Sequence, residues 1–302
     1  MRISLLLSLV LTLGAATPAK APVPWGFVGH EMSAAAAVAV LPADLPDFFR
    51  DAGDQLVYLN PEPDRWRSRD LAEMDQAWSY DHYIDLENVP FGALDAPDRF
   101  QYLAALYQAG LEKPERDGGF LPFRILEVYQ RLVTEWRLWR NTDDMRRRAF
   151  IEARILNDAG ILGHYVTDAA NPHHTTIHFN GWAETAPNPE GYTYDRGFHS
   201  RFERYFVEAH VGLEAVTSRV TGAPASVAGN ARDAIWGHIL RTHEEVETLY
   251  RLDRDVGFDP EADATPEIHD FTADRLAAGA RMLAALWWSA WLESATSPGD
   301  RG

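Results

Sequence analysis

Apolar residues recur at helical spacing in stretch after stretch of this chain, and no alternating run is long enough to build a sheet. That pattern predicts an all-α fold. The spacing predicts helices over 32–41, 98–110, 121–139, 144–167, 198–212, 225–251 and 272–295. In 98–110 the apolar positions are Phe100, Leu103, Ala104, Leu106 and Tyr107, behind an aspartate suited to cap the helix. Loops are expected at 60–63, 112–119, 180–197 and 253–266, where Pro, Gly, Asn and Asp concentrate. No fixed-period repeat and no flexible linker occurs, so one mostly helical domain over 25–302 is the simplest organisation.

Such a domain must hold together by its core alone. The 302 residues include no cysteine, which removes disulfide scaffolds, cysteine-ligated metals and thiol chemistry. Residues 1–24 read as an export signal. Met1 and Arg2 precede an apolar run from Ile3 to Leu13, and small residues and prolines follow, with a candidate site at Ala19-Lys20-Ala21. The run is too short to span a bilayer. A secreted or periplasmic protein without an integral membrane anchor is expected, acting as a monomer. The net charge is −17, and the leader holds Arg2 and Lys20 but no acid, so the remainder is more acidic still. A broad basic patch for nucleic acid is therefore disfavoured, although bound cations could still receive an anion.

Eleven histidines are present, and several stand beside carboxylates at metal-ligand spacing. In 163–174, His164 and Asp168 are four apart and share one face of a predicted helix, and His174 follows beyond Pro172. Two imidazoles and a carboxylate form a donor set that suits zinc. His199 and Glu203 repeat the four-residue spacing. His82 lies in a His-Tyr-Ile-Asp run, His30 follows Trp25 closely, and Asp64 with Arg67 forms a further polar pair. Any one His/carboxylate pair is ordinarily a surface contact; the recurrence points to a metal centre. His173 competes with His174 for the ligand role. His173, His178, His210, His238, His243 and His269 are read as surface or structural.

The order of these pieces resembles the superfamily that joins bacterial zinc-dependent phospholipase C to the fungal and plant single-strand-specific nucleases. The order is W-G-x-x-G-H, an aspartate, H-Y-I-D, H-x3-D-x5-H and H-x3-E. The resemblance spans nearly all of 25–302. It implies a mostly helical fold around a cluster of two to three Zn2+ ions. Asp64, His82 and His164 resemble the ligands of one zinc, and Asp168 the carboxylate bridging it to a second. His174, His199 and Glu203 resemble the ligands of a separate, more exposed zinc. His30 and the amine of Trp25 resemble those of the remaining ion, provided processing exposes Trp25. Asp70 and Asp75 compete with Asp64 by proximity in sequence. The resemblance also casts Asp64 as a residue orienting water, Arg67 as a clamp on the scissile group, and Tyr83 and Asp85 as substrate-binding residues.

On this reading the activity is zinc-dependent hydrolysis of phosphodiesters, phospholipase C-like, with phospholipid as substrate. The alternative is a single-strand nuclease acting on nucleic acid; an alternative of another class is a non-catalytic zinc-binding helical protein. The aromatic-rich 180–197 segment reads as a lid, a partner surface or a solvated loop.

Overall fold

A computed structural model describes residues 26–68 and 70–296. The export signal expected over 1–24 and the ligand expected at Trp25 lie outside the described residues. The chain is all-α, a single mostly helical domain. The strand-like pairings among the described residues are two isolated bridges, Ile84 with Gly119 and Phe179 with Gly181. Among the described residues, no helix is long and apolar enough to cross a membrane.

Among the described residues seven helices reach ten residues or more: α1 (Gly26–Val38), α2 (Arg99–Gln108), α3 (Leu121–Arg140), α4 (Met145–Asp168), α5 (Ala231–His243), α6 (Val246–Asp255) and α7 (Pro266–Glu293). Two begin as their sequences predict. Asp98 accepts from the amides of Phe100 and Gln101, and Asp144 from those of Arg146 and Arg147, satisfying donors that a helix start leaves free.

Elsewhere the expected boundaries move. Helix α1 starts six residues before its predicted start, so His30 lies within the helix. The single helix expected over 225–251 is two, α5 and α6, separated by a turn at Glu244 and Glu245. The loop expected at 60–63 is partly helical, because Pro63 sits in the first turn of Glu62–Arg65, where its missing N–H costs nothing. Gly119 has a positive φ, and a Cβ there would lie 2.2 Å from the Tyr83 carbonyl oxygen. Only glycine lets the two segments of the Ile84 bridge meet.

The core lies between α4 and the helices around it. Helix α4 packs along α3, and α1 and α7 cover its other sides. Trp287 of α7 donates from Nε1 to the Ala159 carbonyl at 3.1 Å, and Ser33 of α1 donates to the Leu276 carbonyl at 3.0 Å. Phe49, Trp136 and Trp287 are fully buried and meet edge to face or tilted. The 180–197 segment is packed in part against the core rather than wholly solvated, although Tyr194 is exposed. Trp182 and Tyr192 are buried, Trp182 stacks on His178 at 3.7 Å, and both residues pack on Tyr250 of α6.

Candidate metal centre

The site is assembled where the C-terminal half of α4 meets five other segments. His164 and Asp168 project from one face of α4, one turn apart, with His164 Nε2 3.2 Å from Asp168 Oδ2. Helix α1 brings His30, the 62–65 turn brings Asp64, and the short 3₁₀ turn Tyr80–His82 brings His82. The 3₁₀ turn Pro172–Thr175 brings His174. His199 lies at the start of a helical run that becomes a π-helix over Arg201–Phe206, which carries Glu203. π-helical turns are rare and often occur at functional sites.

These eight side chains form three donor groups: Asp64, His82 and His164; His30, His164 and Asp168; and His174, His199 and Glu203. His164 belongs to two of them. Asp168 stands between them all. Its Oδ2 is 3.0 Å from His82 Nδ1, while its Oδ1 is 3.5 Å from His30 Nε2 and 3.6 Å from His174 Nδ1. In the third group Glu203 Oε2 lies 2.8 Å from His199 Nε2 and 3.5 Å from His174 Nε2, and the two histidine nitrogens are 3.2 Å apart.

Neighbouring groups set the ring orientations. His174 Nδ1 donates to the His82 carbonyl at 2.7 Å, which leaves Nε2 free for the third group. His30 Nδ1 donates to Asn60 Oδ1 at 3.0 Å, which leaves Nε2 facing Asp64 and Asp168. Asn171 donates to Glu203 Oε2 at 3.0 Å. A metal-binding imidazole is commonly held in this way by a partner on its other nitrogen. Sequence reasoning did not find Asn60 or Asn171. Neither stands at a ligand spacing, and an asparagine beside a proline reads first as a turn residue.

The donor set fits divalent cations. His30 Nε2, both Asp64 carboxylate oxygens and Asp168 Oδ1 are buried without a hydrogen-bond partner. Buried polar atoms are rarely left so, and converging unpaired donors are the arrangement that a cation completes. The electrostatics are correspondingly tense. Burial raises Asp64 to about 7, against the opposing pull of His164. Burial likewise lowers His82 to about 3 and pushes His30 well down. Burial also opposes charge on Asp168 and Glu203, but the surrounding imidazoles outweigh it and hold both carboxylates ionised. His174 rises to about 9 because Asp168 and Glu203 overcome its desolvation.

The third group opens into a pocket of about 700 Å³. Arg67, Tyr83 and Asp85 line it, with Arg116, Arg196 and His173. Arg67 is exposed at the pocket wall. The Tyr83 hydroxyl donates to the Arg116 carbonyl at 2.6 Å. Asp85 is buried, and desolvation together with Glu87 and Asp117 raises its carboxyl to about 8. Asp70, which competes with Asp64 in the sequence, is exposed, and Asp75 accepts from Ser79. His210, His243 and His269 are half-buried. His173, His178 and His238 are buried rather than at the surface.

No family model matches the sequence. A curated relative, a probable serine protease of Bradyrhizobium tropiciagri, is 27% identical over 214 residues. The match covers 58% of this chain and 24% of the relative, so the chain spans about a quarter of that protein's length. This finding corrects the activity expected from sequence. The phosphodiester hydrolase reading, phospholipase C-like or nuclease, gives way because the relative is named as a protease. The physical reason is that His/carboxylate spacing specifies a metal donor set and not the bond attacked beside it.

Proposed function

We propose that the chain is a metal-dependent hydrolase of peptide-type bonds, holding two to three divalent ions, best matched by zinc. One observation carries the metal part: three donor groups, two of them sharing His164, surround Asp168 and retain unpaired buried atoms beside an open pocket. The bond class rests on the relative's name. A serine nucleophile is not favoured by the pocket. Its two serines donate to backbone carbonyls, Ser79 to Asp75 and Ser200 to Gly197. A nucleophilic serine needs an adjacent base.

Bound divalent ions supply Lewis acidity and lower the pKa of water. The protein's own contribution is to hold the donors. Asn60 and the His82 carbonyl fix two imidazoles, and Asn171 fixes Glu203. In the pocket, Asp85 keeps its proton through neutrality and offers a donor to a substrate carbonyl. Arg67 and Arg196 bring positive charge to the pocket wall. With 1–24 read as an export signal, this activity would be secreted or periplasmic.

The test uses purified protein reconstituted with zinc and a mixed fluorogenic peptide library. Metal content is measured in parallel by mass spectrometry. Peptide cleavage is expected to stop with EDTA, to return with zinc and to resist serine-directed fluorophosphonates. Cleavage that resists EDTA and stops with the fluorophosphonate would sink the proposal, as would failure to take up metal.

A further inference from the structure

His173 is buried, lies beside the third donor group and belongs to none of the three. Its ring stacks on His199, with centroids 4.8 Å apart and planes 29° apart. Its other contacts are edges. Phe198 meets it at 4.8 Å and 86°, Phe202 at 5.8 Å and 63°, and Tyr250 at 5.9 Å and 79°. Its ring makes no hydrogen bond to another side chain. The ring thus packs as a flat surface among four other rings.

The turn that carries it addresses each member of the third group in a different way. Asn171 accepts from the His173 amide at 3.1 Å and donates to Glu203 Oε2. His174 supplies a nitrogen. His173 covers one face of His199. This matters because His199 is the most exposed of the three and rests on a helical run that changes to π geometry two residues later.

We propose that His173 is a positioning residue that sets the ring plane of His199, and through it the affinity of the third donor group for its cation. The inference rests on the metal-centre reading above. Supporting residues of this kind typically alter metal affinity by about 10–100-fold.

The experiment is Co2+ titration of the full chain, followed by visible absorption and by metal stoichiometry, for wild type, His173→Leu and His173→Phe. Leucine fills the space without a flat face; phenylalanine keeps the face and lacks the nitrogens. Wild type is expected to fill all its sites. His173→Leu is expected to lose about tenfold or more in affinity at one site only, with a changed absorption band. His173→Phe is expected to bind within a few-fold of wild type. Circular dichroism checks that each variant is folded, and the Phe variant decides alone if the Leu variant is not. Equal binding by folded His173→Leu overturns the proposal, as does a loss in His173→Phe equal to that in His173→Leu. Wild type that binds no cobalt overturns the metal-centre reading itself, an outcome distinct from the other two.

Discussion

At the scale of single residues, the orienting partners carry as much information as the donors. Asn60 is buried and aims its carbonyl oxygen at His30 Nδ1, so that Nε2 faces the carboxylates. Asn60→Ala is expected to weaken metal binding by about 10–100-fold at the group containing His30, with His174, His199 and Glu203 unaffected. Site-resolved cobalt titration measures this, and equal weakening at every site would contradict it. Asp85 gives a pH prediction. Its folded carboxyl titrates near 8, whereas an unfolded aspartate titrates near 3.9. The unfolded chain therefore releases this proton first, and Asp85 lowers folding stability progressively as pH rises from about 4 to about 8. Asp85→Asn should raise the melting temperature at pH 9 by a few degrees and change it little at pH 4. Melting curves at the two pH values decide this, and equal shifts would refute the assignment.

At the scale of elements, the approach of α4 to the chain around Asn60 depends on a residue without a side chain. A Cβ on Gly163 would lie 2.4 Å from Asn60 Nδ2 and 3.0 Å from Leu283 Cδ2. Gly163→Ala should therefore displace Asn60 and loosen α7, at a cost of about 1–3 kcal/mol, the usual range for overpacking. Urea unfolding measures that cost, and a neutral result would mean that the interface yields freely. The periodicity of 144–167 predicts α4 to within one residue at each end, because a long amphipathic run with an N-cap is encoded locally. The short helices at 47–51, 53–59 and 72–79 have too few turns to show a period and are legible only in the structure.

At the scale of the whole molecule, the metal centre ties together segments from residue 30 to residue 203. A cation held there is bound by the folded state and not by the dispersed chain, so it stabilises the fold by mass action. Removing metal with a chelator should lower the melting temperature, and restoring zinc should recover it. Calorimetry checks this, and a melting temperature indifferent to metal would mean that the donors are not ligands. The aromatic packing of Phe49, Trp136 and Trp287 lies in the same core and needs no metal, so secondary structure should persist in the chelated protein at low temperature.

The sequence by itself determined the helical class and the two pairs His164/Asp168 and His199/Glu203, because a four-residue spacing on a helix is a local property. It also exposed the wider set of histidines and carboxylates, through a resemblance in their order. Only the tertiary structure decided that Asp64, and not Asp70, faces His82 and His164. It alone directed His174 Nε2 to Glu203 while His173 stacks on His199, and it alone brought Asn60 to His30. These are contacts between residues dozens of positions apart, chosen by how helices pack and where a glycine lets them approach. Substrate class is a matter of pocket shape and chemistry, which the order of the candidate donors does not encode. On that point the sequence reading needed correction from the curated relative.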